Sequence, residues 1–316
     1  MKFPFLPMDY SILILNYNGA DLLPRCIKHC FQAMEASGAR GELIVVDNAS
    51  IDASREVLSS YGDQLRTVAM KSNTVLCAYN EAVELAMGKI ILLLNNDEYI
   101  DSGFLDRILK PFEQDPDLFL VVPKTVDEGS RCYQAGLLEL EFKRGHFWIN
   151  SQPKEDRTSK RRHLNVGCLG AYRKEPFRVL GGFEPLFLPF YWEDADLSYR
   201  AAKQGWKILY EPEAVSEHLG QATISRFVPD DVRRINRRNK LLFFYLNATD
   251  WLLWAKHYLR FPFFVIGSIV SGRNLDYLRA WLWIFLHLPR IWSVRQARKR
   301  KSRLKDADLL NLVKIQ

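Results

Sequence analysis

A chain of 316 residues can bury a sizeable core and allows one large domain or one domain with an appendage. With 48% hydrophobic residues, its composition excludes a disordered polypeptide. The net charge of +7 is uneven: residues 226–316 carry 19 Lys or Arg against 6 Asp or Glu, while residues 1–225 carry 25 against 31.

The first half alternates in βα rhythm. A strand is predicted at 11–17, a helix at 21–36, a strand at 42–47, a helix at 52–60 with Ser50 and Asp52 as candidate caps, and a strand at 66–70. A helix at 76–87 and a strand at 89–94 follow. Strands separated by helices of this length imply crossover connections and a mostly parallel central sheet, hence an α/β fold. Residues 129–163 lose the rhythm and predict a small antiparallel excursion ending in an exposed loop, KEDRTSKRR at 154–162. A helix at 194–204 and a strand at 206–210 restore order, and the chain reads as helical from about 228 onward.

Five cysteines, Cys26, Cys30, Cys77, Cys132 and Cys168, are odd in number, sit in apolar segments and lack paired CxxC spacing. They read as reduced core thiols of a cytosolic protein. The opening MKFPFLPMDY lacks a basic region followed by an apolar run, so no secretory signal is expected. No segment reaches the roughly 18 uncharged apolar residues that span a bilayer.

Four polar clusters end the predicted strands: Asn16-Tyr17-Asn18, Asp47-Asn48, Ser72-Asn73 and Asn95-Asn96-Asp97. In a parallel sheet such ends share one edge, where open α/β sheets bind ligands. Each cluster alone is good turn chemistry. Together they describe a pocket able to hydrogen-bond a nucleobase, a ribose and a diphosphate, with the Asp97 carboxylate as a hard oxygen ligand for Mg²⁺ or Mn²⁺. No GxGxxG follows the first strand, which argues against a dinucleotide site. In WEDADLSYR, Glu193, Asp194 and Asp196 crowd a helix N-terminus beside Tyr191 and Trp192. Acids are common there, but an aromatic wall beside a carboxylate also suits sugar binding with a general base. His218, eight residues past the WKILY strand, is alone either structural or a ligand.

Taken in order, NYN, VVDNAS, LLLNND, LGGFEPLFLPFYWEDADLSYRAAKQGWKILYEP and His218 resemble the family 2 glycosyltransferases of GT-A fold, especially bacterial rhamnosyltransferase-like members, over residues 9–225. The resemblance implies a catalytic domain at 1–225 that transfers a sugar, with inversion, from a nucleotide-diphosphate sugar in the presence of Mg²⁺ or Mn²⁺. It further implies a lipid-linked or polysaccharide acceptor in cell-surface glycan assembly. By motif, Asp97 matches the metal-binding end of the DxD-like element, with His218 completing the site. Asn16, Asn18, Asp47, Asn48, Asn73, Asn95 and Asn96 resemble nucleotide-sugar contacts. Asp194 resembles the catalytic base and Glu193 its helper. Two departures stand out: NND in place of DxD, and Val75 and Cys77 in a loop that is glycine-rich in many relatives. A catalytically silent, membrane-docked sugar-nucleotide sensor or scaffold is the competing expectation.

The region 226–316 holds two aromatic helical stretches, each broken by charge or proline, before RQARKRKSRLK at 295–305. Such a pattern suits a peripheral position on an anionic membrane, expected to be the cytoplasmic face of a bacterial plasma membrane, with Arg295, Arg298, Lys299, Arg300, Lys301, Arg303 and Lys305 as the basic flank. No recognisable module accompanies the basic run, so no nucleic-acid partner is expected.

Overall fold

The computed structural model describes residues 8–150, 161–219, 229–270 and 275–312. Strands β1 (Met8–Asn16), β2 (Gly41–Asp47), β3 (Arg66–Ala69) and β4 (Gly88–Asn95) alternate with helices α1 (Leu23–Ala36), α2 (Ser54–Ser59) and α3 (Ala78–Leu85), as the βα rhythm predicts. All four strands run parallel, with Asn16 opposite Asp47 and Leu15 opposite Asn95, so their polar ends do share one edge. The α2 helix starts two residues later than expected. Asp52 stands before it and accepts the Ser54 N–H at 3.0 Å.

Beyond β4 come β5 (Glu98–Ile100), α4 (Phe104–Gln114), β6 (Leu118–Asp127), β7 (Tyr133–Ala135) and the hairpin of β8 (Glu139–Lys143) and β9 (His146–Asn150). Then follow β10 (Arg162–Leu164), β11 (Ala171–Arg173), α5 (Lys174–Leu180), α6 (Glu193–Lys203) and β12 (Lys207–His218). The antiparallel excursion is therefore β7 with the β8–β9 hairpin. Most of the KEDRTSKRR loop lies outside the described residues; Arg162 opens β10. The main sheet has the order β10-β12-β6-β11-β4-β1-β2-β3 and is mixed, because the short β11 lies antiparallel between the parallel block that ends at β4 and the parallel pair β6–β12.

Sequence analysis stops the last strand at 210, but β12 continues to His218. It bulges between Glu211 and Val215, opposite Pro123 of β6, a residue that can donate no ladder hydrogen bond. The extra length carries β12 past β5, where His218 pairs with Glu98.

Side chains alternate between two cores, as strand geometry requires. Ile12 and Ile14 of β1 pack with α1 and α4 on one face, while Leu13 faces the other. That second core takes in α3, α5, α6 and the tail helices α7 (Pro229–Asn247), α8 (Trp251–Val270), α9 (Asp276–Leu286), α10 (Leu288–Lys301) and α11 (Asp306–Leu312). Leu242 and Phe243 of α7, Ile291 of α10 and Leu309 of α11 belong to the same cluster as Ile91 and Leu93 of β4. Of the cysteines, only Cys26 and Cys30 are buried core thiols; Cys77 and Cys168 are half-buried and Cys132 is exposed, a correction to the reading from apolar context.

Candidate active site

The four strand ends are stitched together by their own side chains. Asn16 Oδ1 accepts from Asn96 Nδ2 at 2.7 Å, and Asn16 Nδ2 donates to Ser50 Oγ at 3.2 Å. This approach requires Gly19, since a Cβ there would lie 2.0 Å from Asn96 Nδ2. Asn48 Nδ2 donates to Asn73 Oδ1 at 2.8 Å, and Asn18 Oδ1 accepts the Ile51 N–H at 2.8 Å. Asp47 accepts from the Ser50 N–H and from Arg55 Nε. Asn95 contributes its backbone N–H to Glu98 Oε2 at 2.9 Å. The residues predicted as donor contacts are thus brought to one rim, and much of their hydrogen-bonding capacity holds that rim in shape. In the loop after β3, Val75 occupies the left-handed backbone region at φ 49°, a conformation that favours glycine.

Asp97 lies in the turn from β4 to β5, and β12 delivers His218 to it: Nε2 stands 3.3 Å from Asp97 Oδ2, and the Leu219 N–H bonds the Asp97 carbonyl. Gln134 on β7 fixes the imidazole. Its amide nitrogen donates to Asp127 Oδ2 and to the His218 carbonyl, which turns Gln134 Oε1 towards His218 Nδ1 at 2.9 Å. With Nδ1 held by Gln134, the protonated imidazole donates its Nε2–H to Asp97, and once that proton is lost the same Nε2 lone pair is free for a cation placed between them. Burial lowers the His218 pKa, but the Asp97 hydrogen bond and the charges of Glu98, Asp97 and Asp127 together lift it above its ordinary value. Among the described residues no three His, Cys, Asp or Glu side chains cluster as a metal site. Asp97 and His218 would supply two ligands of such a site. A carboxylate and a preoriented imidazole fit a divalent ion that takes its remaining ligands from diphosphate oxygens.

Glu193 and Asp194 open α6 after two consecutive aromatic residues in left-handed conformation, Tyr191 at φ 74° and Trp192 at φ 78°. Backbone of this kind costs about 1–3 kcal/mol per residue and persists only where neighbours impose it. The neighbours are on α7: Asn239 Nδ2 donates to the carbonyls of Phe190 and Tyr191 at 2.8 and 3.0 Å, and Asn236 Oδ1 accepts from the Trp192 indole at 3.0 Å. Neither asparagine stands out in the sequence. The available signal was two asparagines three apart, on one face of an arginine-rich helix.

The three acids of α6 diverge in ionisation. Burial raises Asp194 to about 6. Burial and the adjacent Asp194 charge raise Glu193 to about 8, and its Oε2 is buried without a hydrogen-bond partner. Burial also opposes charge on Asp196, yet the guanidinium groups of Arg298 and Arg200 hold it below the ordinary carboxylate range. A split of this kind separates acid and base roles. The Cys168 thiol, raised by burial and by the charges of both Asp194 and Glu98, lies near enough to sense the two ends of the site.

Behind the carboxylate pair, α6 is gripped by the tail. Asp196, with no exposed surface, receives Arg298 Nη1 at 2.6 Å, Asn247 Nδ2 at 2.7 Å and Arg200 Nε at 2.8 Å. Arg298 Nη2 reaches on to Glu184 Oε2 at 3.1 Å. One turn and two turns along α6, Tyr199 and Lys203 bond Asp306 Oδ1 of α11 at 2.8 and 2.9 Å. A cavity of about 270 Å³ opens on this rear side; Arg200, Lys203 and Arg298 in its wall are already ion-paired and the wall excludes Glu193 and Asp194, so it lies apart from the chemistry. Two members of the predicted basic flank are therefore internal: Arg298, and Arg295, which is buried, donates to the Tyr245 carbonyl and lies over Trp254.

Comparison with known proteins bears on this geometry. The model of the family "Glycosyl transferase family 2" matches residues 11–181. Over 106 residues the chain is 33% identical to the poly(ribitol-phosphate) beta-glucosyltransferase of Bacillus spizizenii, a match covering 32% of this chain and 16% of that protein. With the chondroitin synthase of Pasteurella multocida it shares 29% identity over 114 residues, 35% of this chain and 12% of that one. The chain thus spans a small fraction of these curated relatives. In structure it resembles S. aureus TarS 1–349 in complex with UDP-GlcNAc, at TM-score 0.56 and 17% identity, covering 96% of this chain and 89% of that one. It also resembles the mannosyltransferase PcManGT of Pyrobaculum calidifontis in complex with GDP-Man and Mn²⁺, at TM-score 0.52 and 16% identity, covering 94% and 86%. The family match takes in more than half of the chain, including all four strand ends and Asp97, and the structural likeness extends the same GT-A-like α/β architecture through the tail: the chain belongs to glycosyltransferase family 2.

Proposed function

We propose that the protein is an inverting glycosyltransferase that moves a sugar from a nucleotide-diphosphate sugar to a hydroxyl of a lipid-linked or polysaccharide acceptor in cell-surface glycan assembly, at the cytoplasmic face of a bacterial plasma membrane. The observation that carries this reading is the Glu193–Asp194 pair. At neutral pH a group with a pKa of about 6 is largely ionised, and one with a pKa of about 8 is largely protonated. A base poised near the working pH combines correct protonation with a useful driving force.

The rim formed by Asn16, Asn18, Asp47, Asn48, Asn73, Asn95 and Asn96 receives the nucleotide and the donor sugar. Tyr191 supplies an apolar wall for the acceptor ring; Trp192, expected to share that role, is buried behind it against Phe243 and only positions the turn. Asp194 takes the proton of the acceptor hydroxyl as that oxygen bonds to the anomeric carbon. The bond from that carbon to the diphosphate oxygen breaks, its electron pair leaving with the nucleoside diphosphate. Displacement from the opposite face inverts configuration. Glu193, protonated and with Oε2 otherwise unpartnered, donates a hydrogen bond that orients the acceptor. Asp97 and His218 would hold Mg²⁺ or Mn²⁺, which in family 2 chemistry offsets charge on the leaving diphosphate. Residues 1–225 form the catalytic portion in this reading, and 226–316 the helical portion that braces it.

Replacing Asp194 with Asn tests the assignment. Transfer is expected to fall by at least about 10², the minimum typical of a lost general base, with donor affinity by calorimetry changed less than about threefold. Transfer within about tenfold of wild type would remove Asp194 from the base role. Loss of donor binding to the same degree would make the residue structural.

A further inference from the structure

We propose that the outer faces of α8 and α9 form one surface that docks on an anionic lipid monolayer without crossing it. Each helix is divided cleanly. On α8, Leu253, His257 and Phe261 are buried at four-residue spacing, while Leu259, Phe263, Ile266 and Val270 form an exposed stripe at spacings of four, three and four. On α9, Tyr277, Ala280 and Ile284 face the core, while Leu278, Trp281, Leu282, Phe285 and Leu286 face outward. The Trp281 and Phe285 rings stack with centroids 6.0 Å apart. The two helices meet through their inner faces, where the Phe261 and Tyr277 rings lie with centroids 6.1 Å apart, and outside them Phe263 is 72% exposed and Leu286 76%, large apolar side chains of the kind that soluble monomers rarely leave uncovered in number.

Charge decides the occupant. From Trp251 to Lys305 the sequence has twelve Lys or Arg and one acid. That acid, Asp276, is buried and held by Arg233 and Arg237. Lys256 and Arg260 beside the α8 stripe, Arg279 beside the α9 stripe and Arg290 at the start of α10 are exposed. An apolar face rimmed by cations alone complements acyl chains beneath anionic headgroups, with Trp and Tyr at the boundary. A second copy of the chain would oppose two cationic rims, which like-charge repulsion disfavours. Among the described residues no helix is long and apolar enough to cross a membrane, so the face lies in the interface plane. The sequence-level emphasis on the basic run is thereby revised: the apolar stripes supply insertion, and Lys299, Arg300, Lys301, Arg303 and Lys305 supply only long-range attraction.

Docking also has a place in the reaction. Asp276 at the start of α9 is paired to α7, and Asn236 of α7 bonds the Trp192 indole beside Glu193 and Asp194. The lipid face is thus one helix away from the acceptor wall, as a lipid-linked acceptor needs; this purpose rests on the transferase reading, whereas the binding itself does not.

Vesicle flotation tests it, using phosphatidylcholine alone and phosphatidylcholine mixed with phosphatidylglycerol. Two variants are compared with wild type after circular dichroism and melting confirm their folds: Leu259→Ser/Phe263→Ser/Phe285→Ser, and alanine at the five exposed basic positions from Lys299 to Lys305. Wild type is expected to partition onto mixed vesicles at least about tenfold better than onto neutral ones. The apolar variant should lose at least about tenfold on both, and the basic variant should lose its preference for mixed vesicles while retaining salt-resistant binding. Donor hydrolysis in detergent-free buffer should stay unchanged in both, which separates failed docking from a failed transferase assignment. An apolar variant that floats like wild type overturns the proposal. So does a wild type that ignores vesicles and is a dimer by light scattering, with the apolar variant monomeric.

Discussion

Removing the Arg298 guanidinium, by Arg298→Ala, asks whether this residue belongs to the basic run or to the brace behind α6. In the structure the substitution leaves Glu184 Oε2 without that donor and takes one of two guanidinium partners from fully buried Asp196. Breaking a buried ionic pair by deleting one partner costs about 3–5 kcal/mol. Arg200 at 2.8 Å and Asn247 at 2.7 Å remain on Asp196, so the lower end, about 3 kcal/mol, applies here. Unfolding entropy of roughly 2 cal/mol/K per residue gives about 0.7 kcal/mol/K for this chain length, hence a fall in Tm of about 4–5 °C. Lys299→Ala and Lys301→Ala, at exposed positions, should each stay within about 0.5 kcal/mol of wild type. Acid supplies an internal control. Because the folded-state pKa of Asp196 is depressed, its contribution is present in full above its unfolded value of about 3.9 and is lost as pH falls through the folded value. The gap between wild type and Arg298→Ala, measured by urea unfolding, should therefore be flat between about pH 5 and 8 and narrow below about pH 4. A variant no less stable than Lys299→Ala, or a gap indifferent to acid, would refute the reasoning and return Arg298 to the solvated run.

Two further outcomes follow from the site itself. The pH–rate profile should be bell-shaped: transfer falls as pH drops through about 6, where Asp194 takes up a proton, and falls again above about 8, where Glu193 loses one; a flat profile from about pH 5 to 9 contradicts the division of roles. Asp97→Ala should weaken nucleotide-sugar binding at least about tenfold by calorimetry with Mn²⁺ present and leave it unchanged in EDTA, while wild-type activity that survives EDTA removes the metal from the proposal.

Much of the strand-end rim was legible because its signals are local. An apolar run ending in Asn-Asn-Asp identifies both a buried strand and its polar end, and the same logic places Asn16, Asp47 and Asn73 on one rim. The α4 helix and strand β6 escaped because proline sits inside each, Pro111 in the last turn of α4 and Pro123 opposite the bulge in β12. Read locally, both prolines look like interruptions; packing and a bulge accommodate them. Around α6, only the acids themselves were legible. Asn236, Asn239, Asn247 and Arg298 act on residues 44 to 114 positions away, and no window of sequence shows that a guanidinium in an RKRK run points inward. Cys132 illustrates the converse error, since an apolar neighbourhood in sequence did not bury it.

The grip on the rear of α6 also limits how this chain can be recombined. Asp196, Tyr199 and Lys203 repeat along one side of the helix, each meeting a partner between residues 247 and 306. A chimera that exchanges the tail for that of another transferase, while keeping this α6, would leave a buried carboxylate and a buried ammonium facing unmatched surfaces. The unit of exchange is therefore α6 together with the tail from Asn247 onward, while β12 between them stays with β6 and β5, to which it is paired. Exchanged in this way, Asp97 keeps His218 beside it and the Glu193–Asp194 pair travels with its own brace.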